Sequence, residues 1–232
     1  MQHLDSGTWR HSRVWLDAAF DAAEIGNCPD ARAVQAVLDW VRTGRPLVGR
    51  TRATADDPSG MPLGLALPAA KGMRPRIACC VPMTAVRRVA SPLPLREALP
   101  LLPVPMQTVA GKLACYAASI GMPLGVYGSA FWHHTAGGGY LHADSDLDLL
   151  AVPCDAAQAR QWLVKLTETE TNASLRLDGE VRLPDGATVN WRELARSASK
   201  LLVRTDSGPV LRLQAEVWAA WESVTGRLEV LP

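Results

Sequence analysis

Apolar positions Val34, Val37, Leu38 and Val41 recur at helical spacing between Asp30, a suitable N-cap, and Gly44 and Pro46, so the pattern predicts a helix over 30–43. Ahead of it, Trp9, Val14 and Trp15 point to a strand or an irregular anchoring segment within 1–25. From Pro46 to Pro82 the texture changes to short apolar runs separated by Gly, Pro and Arg, which predicts a small sheet with a turn at Asp56–Gly60. Prolines then crowd 91–105 too densely for a helix or an inner strand. That stretch is read as a linker between a small N-terminal α+β domain (1–90) and a second domain (106–232). In the second domain the pattern predicts a helix over Met106–Ile120, a strand over Leu124–Tyr127, and a helix capped by Asp155 and running to about Glu168. A strand over Ser174–Leu183 turns through Pro184-Asp185-Gly186 into Ala187–Val189. Asn190-Trp191-Arg192-Glu193 opens a further helix like a capping box, and Lys200 precedes a strand over Leu201–Arg204. The fold class is α+β, with a mixed sheet flanked by helices in the second domain.

The chemistry gathers in the middle of that domain. Val126-Tyr127-Gly128-Ser129 reads as a strand entering a tight turn, followed after an irregular or helical connection by Asp144-Ser145-Asp146-Leu147-Asp148-Leu149-Leu150. On a strand Asp146 and Asp148 share one face, roughly 6.5–7 Å apart at Cα, while Leu147 and Leu149 face a core. Adjacent carboxylates repel and lower strand propensity, so the pair is costly unless a cation offsets it. Mg²⁺, or Mn²⁺ in its place, suits such a pair. Gly128 permits close approach of main chain to a phosphate, and the Ser129 hydroxyl with an N–H at the start of the next segment can donate to it. A calcium loop fits less well, because Leu149 and Asp155 stand where that loop needs Gly and Glu. A solvated acidic turn is the plain alternative. A strand, Gly-Ser and then Asp-x-Asp resembles the polymerase-β type of nucleotidyltransferase fold.

Charge and cysteines refine this picture. Net charge is +1, yet residues 41–90 hold nine Lys or Arg, among them Lys71, Arg50, Arg52, Arg74 and Arg76, against Asp56 and Asp57. This stretch is expected either to meet something anionic, a polyphosphate or an acidic protein, or to be a solvated charged surface. A near-neutral balance and few aromatics in the basic stretch argue against nucleic acid. No apolar run has membrane-spanning length and the start resembles no signal peptide, so a cytoplasmic location is expected. The five cysteines include no C-x-x-C pair and are read as reduced and structural.

A third carboxylate is expected from a neighbouring strand: Asp178 first, Glu180 second, with a solvent-facing hairpin as the alternative. Lys200 and Arg204 are candidates for neutralising a triphosphate, with ordinary surface charge as the equal alternative for each. His133 and His134 are adjacent and diverge, so they do not share one ion; Gly137-Gly138-Gly139 beside them suggests a mobile connection near the phosphates.

Taken together, Tyr127-Gly128-Ser129-Ala130 with Trp132, Ser145–Leu150, Leu177-Asp178-Gly179-Glu180, Trp191-Arg192-Glu193-Leu194, Pro62–Leu65 and Arg76-Ile77-Ala78 resemble the malonate decarboxylase holo-acyl-carrier-protein synthases, or phosphoribosyl-dephospho-CoA transferases. The resemblance implies an enzyme that takes 2'-(5''-triphosphoribosyl)-3'-dephospho-CoA and attaches its phosphoribosyl-dephospho-CoA part to a serine of the decarboxylase's apo acyl-carrier subunit, releasing diphosphate. It implies Asp146 and Asp148 as the metal pair. The basic N-terminal part, through Arg50, Arg52 or Arg74, is expected to recruit an acidic carrier. The alternatives are a silent binding or regulatory module of the same fold, and an enzyme of that fold acting on a small molecule.

Overall fold

The computed structural model of the chain describes residues 8–69, 74–142, 144–173 and 175–228, with side chains as far as Glu222. Lys71 and Ser174, both invoked above, lie outside the described residues. The first half contains β1 (Arg13–Leu16), α1 (Ala31–Arg42), β2 (Leu47–Gly49), β3 (Met61–Ala66), β4 (Arg76–Val81) and β5 (Val86–Ala90). These strands form a five-stranded sheet in the order β4-β3-β2-β1-β5, every described pair antiparallel. Helix α1 starts where its sequence says, because the Asp30 carboxylate accepts the Ala33 N–H at 2.8 Å. Its Val37, Leu38 and Val41 are buried in the core.

The proline-rich stretch expected to be a linker is packed instead. Leu93–Pro94 forms β6, Leu95–Ala98 forms α2, and Leu93, Leu95, Ala98 and Leu102 are buried. Proline survives in β6 because it is an edge strand, and Pro105 sits in the first turn of α3 (Val104–Ser119), where its missing N–H has no intrahelical partner to lose. There follow β7 (Leu124–Val126), α4 (Gly128–Ala136), β8 (Leu147–Ala151), α5 (Ala156–Asn172), β9 (Leu177–Arg182), β10 (Thr188–Asn190), α6 (Trp191–Ala195), β11 (Lys200–Thr205), β12 (Gly208–Leu213) and α7 (Gln214–Leu228). The strands run β12-β11-β10-β9-β8-β7-β6 in one mixed sheet, β8 and β9 being its parallel pair, with α5 as the crossover between them. Neither β12 nor α7 is anticipated from sequence. The α5 helix runs past the expected Glu168, and within it Thr167, Thr169 and Thr171 return their hydroxyls to carbonyls four residues back.

Polar clamps and aromatic contacts join the two sheets. Asp206, in the β11–β12 turn, accepts from the Thr8 hydroxyl and from the N–H groups of Trp9 and Arg10, while its carbonyl takes the Arg52 N–H. Trp40 meets Trp132 edge to face at 5.6 Å, and the Tyr140 hydroxyl donates to the Ala66 carbonyl. No helix among the described residues is long and apolar enough to cross a membrane. Cys79 and Cys80 are buried as expected, whereas Cys115 and Cys154 are exposed, against the reading of all five as packing residues.

Close pairing of β8 with β9 depends on Gly179. It sits at φ +146°, and a Cβ there would meet the Leu149 carbonyl oxygen at 2.2 Å. Gly179→Ala is expected to destabilise the protein by roughly 2–4 kcal/mol, read as a lower urea midpoint.

Candidate active site

A cleft of about 770 Å³ opens between the two sheets. On its C-terminal side, β7 leads into Tyr127, which is the N-cap of α4, and Gly128 turns the chain at φ +57°. A Cβ at Gly128 would stand 1.9 Å from Asp148 Oδ2, so this glycine is demanded by proximity as well as by conformation. The connection after it is a helix rather than an irregular loop. Ser129 N–H donates to the Asp148 carboxylate, and the Ser129 hydroxyl accepts from Arg74.

Parallel register places Asp148 opposite Asp178, and Asp146 lies two residues earlier on the same face. Ligand oxygens of Asp146, Asp148 and Asp178 all lie within 4.8 Å of one another. Leu147 and Leu149 point away into the core, at 0% and 2% exposure. Burial, then the charges of Asp146 and Asp178, push the Asp148 carboxyl up to about 7, against smaller opposition from the Ser129 N–H and Arg76. Behind Asp178, Asn190 Nδ2 and Arg192 Nη1 donate to its Oδ1 at 3.1 and 3.2 Å, fixing its orientation. Three converging hard oxygen donors under mutual repulsion, with a supporting layer behind one of them, suit a divalent cation such as Mg²⁺ or Mn²⁺.

Glu180, the second choice for the third carboxylate, is held elsewhere. It takes Arg10 at 2.6 Å, His11 Nε2 at 3.0 Å and the Thr188 hydroxyl at 2.6 Å, with Arg204 at 3.5 Å. Burial would raise its carboxyl, but the His11 hydrogen bond, Arg10 and Thr188 bring it down to about 2. Burial lowers the pKa of His11, whose ring stacks on Tyr127 at 4.1 Å, and raises that of the Tyr127 phenol.

Arg204 lines the cleft; Lys200, at the far end of β11, is exposed and outside it. His133 does not face the carboxylates: its Nδ1 lies 3.3 and 3.2 Å from the N–H groups of Tyr140 and Leu141 and accepts from them. Gly137, at φ +79°, closes α4 by donating to the carbonyls of His133 and His134, so the start of the triple glycine is a helix stop. The arginines expected to recruit a carrier are turned inward. Arg50 braces Asp56 and the Leu63 and Cys79 carbonyls, Arg52 lies over Trp9 at 5.1 Å, and Arg74 reaches the Tyr140 carbonyl besides Ser129. Arg10 and His11 join the cleft unannounced by any motif; Arg76 and Asn190, which the sequence placed in a family motif and at a helix start, join it in a role neither pattern stated.

Asp148 gives metal-free protein a defined pH response. Its folded pKa of about 7 lies above the ordinary carboxylate value of 3.8, so stability from this group is fully present below about 4 and lost as pH rises through 7. Glu180 acts oppositely, its contribution being lost as pH falls from 4.5 toward 2. Urea midpoints of the metal-free protein are therefore expected to fall between about pH 5 and about pH 8 less steeply in Asp148→Asn than in the wild type. An identical slope in both would remove Asp148 as the cause.

The family model described as the phosphoribosyl-dephospho-CoA transferase MdcG N-terminal domain matches residues 9–92, and that of the MdcG C-terminal domain matches residues 94–215. Proteins named phosphoribosyl-dephospho-CoA transferase are similar over most of the chain. One from Xanthomonas campestris pv. campestris (strain 8004) is 36% identical over 201 residues, 86% of this chain and 91% of its own length. One from Bradyrhizobium diazoefficiens is 32% identical over 210 residues, 90% of this chain and 92% of its own. One from Pseudomonas putida (strain GB-1) is 33% identical over 195 residues, 83% and 89% of the two chains. No solved structure matches. Two family models that divide nearly the whole chain between them, and relatives matched along nearly their full lengths, place it: the chain belongs to the phosphoribosyl-dephospho-CoA transferase family and is a transferase.

Proposed function

We propose that the protein is a cytoplasmic nucleotidyltransferase of the polymerase-β type. It takes 2'-(5''-triphosphoribosyl)-3'-dephospho-CoA and joins the phosphoribosyl-dephospho-CoA group to a serine of the apo acyl-carrier subunit of malonate decarboxylase, releasing diphosphate. The observation that carries this reading is the convergence of Asp146, Asp148 and Asp178 beside the start of α4, within a cleft between two sheets.

Asp146, Asp148 and Asp178 would hold Mg²⁺ or Mn²⁺, which when bound stabilises charge on the phosphates and on the departing diphosphate. The protein's own groups do the positioning. Gly128 lets main chain approach a phosphate closely, and Ser129 offers its hydroxyl at the positive end of α4, its N–H being given to Asp148. Asn190 and Arg192 keep Asp178 turned toward the other two acids. Arg204 adds positive charge to the wall through its place beside Glu180. Lys200 has no part in this reading, being outside the cleft. In the transfer, the serine hydroxyl oxygen bonds to the phosphorus nearest the ribose and gives up its proton to water, as the bond from that phosphorus to the diphosphate oxygen breaks and diphosphate leaves with the electron pair, the two in line.

The test is the intact mass of an apo acyl-carrier subunit incubated with the protein, the triphosphoribosyl donor and Mg²⁺. A gain equal to the phosphoribosyl-dephospho-CoA group is expected, with a rate about a thousandfold lower or less in Asp146→Ala/Asp148→Ala. No gain with a competent carrier rejects the reaction, and an equal gain in the variant rejects the carboxylate site.

A further inference from the structure

The cleft contains more positive charge than its fixed carboxylates use. Five arginines line it: Arg10, Arg50, Arg74, Arg76 and Arg204. Three are spent on acids, Arg10 on Glu180 at 2.6 Å, Arg50 on Asp56 at 2.6 Å, and Arg204 on Glu180 at 3.5 Å. The other two have no carboxylate partner among the described residues. Arg74 gives its donors to neutral oxygens, the Ser129 hydroxyl and the Tyr140 carbonyl, and lies over the Tyr140 ring at 5.5 Å. Arg76, the first residue of β4, makes no side-chain hydrogen bond or ion pair among the described residues, yet its charge is felt at Asp148.

We infer that Arg74 and Arg76 bind the diphosphate end of the substrate's triphosphate, so that the N-terminal sheet supplies the cationic wall of the site, an inference that rests on the reading proposed above. The placement follows from Ser129. Its hydroxyl, at the first turn of α4 and beside Asp148, marks where a phosphate would meet the helix, and Arg74 already reaches that hydroxyl. A guanidinium exchanging neutral acceptors for phosphate oxygens gains charge-assisted, forked hydrogen bonds. With the acids of β8 and β9 on one side and these two arginines on the other, an oligophosphate between them meets metal and guanidinium charge at once. The bland alternative is that Arg74 merely ties the Tyr140 loop to α4, and Arg76 is a solvated strand end.

The two readings separate by measurement on the full chain. Wild type, Arg76→Ala and Arg74→Lys are titrated calorimetrically with inorganic diphosphate and inorganic triphosphate in the presence of Mg²⁺, and their thermal unfolding is recorded. Wild type is expected to bind both anions. Arg76→Ala is expected to weaken binding about tenfold or more, and Arg74→Lys to weaken it because an ammonium lacks the fork, both with unchanged unfolding temperature. Absent binding by wild type, or variants that bind as wild type does, overturns the inference. The carrier mass assay tests the parent reading separately: anion binding lost in the variants without carrier modification by wild type keeps the arginine site and rejects the acceptor, whereas modification with undiminished anion binding in the variants does the reverse.

Discussion

Repulsion among three carboxylates at one end of the β8–β9 pair is the constraint on which the rest of the structure depends. Parallel register puts Asp148 beside Asp178, and nothing in the backbone can part them without breaking that pairing. The neighbourhood answers the strain in several ways. Ser129 N–H donates to Asp148, Arg192 and Asn190 hold Asp178, and Arg76 lends charge from across the cleft. None of these neutralises Asp148 fully, and its carboxyl stays at about 7. A fold built only for stability would have placed apolar side chains there.

The opposite arrangement lies two residues further along β9. Glu180 is enclosed by Arg10, His11, Thr188 and Arg204 and remains ionised far into acid. Two of those partners come from the N-terminal segment, so the buried charge also fastens one sheet to the other. Asp178 and Glu180 share a strand and a face, yet one converges with two other acids and the other is enclosed by cations. The difference is which cations reach them.

Sequence alone carried the acidic strand, the Gly-Ser turn and the capped helices well, because each is a local pattern whose physics is complete within a few residues. Asp30 and Asp155 cap their helices as their spacing demands. What escaped depends on partners distant in the chain. Arg50 reads as surface charge until Asp56, Leu63 and Cys79 are seen to surround it. Arg10 and His11 belong to no motif; they matter only because β9 brings Glu180 against them. The proline-rich stretch misled for a related reason, since an edge strand and a helix's first turn both tolerate proline and neither can be told from a linker by composition. The end of α5 was missed because the Thr-rich run Thr167–Asn172 has poor helix propensity and reads as the place where a helix stops.

Gly128 carries one more consequence. Its missing side chain is space already filled by the Asp148 carboxylate, 1.9 Å from where a Cβ would be. Any larger residue must push that carboxylate aside, while the core beneath, with Leu147 and Leu149 facing away, keeps its packing. Position 128 is therefore a sentinel: a copy of this chain that has replaced this glycine would look intact by overall similarity, yet its Asp148 carboxylate would stand somewhere else.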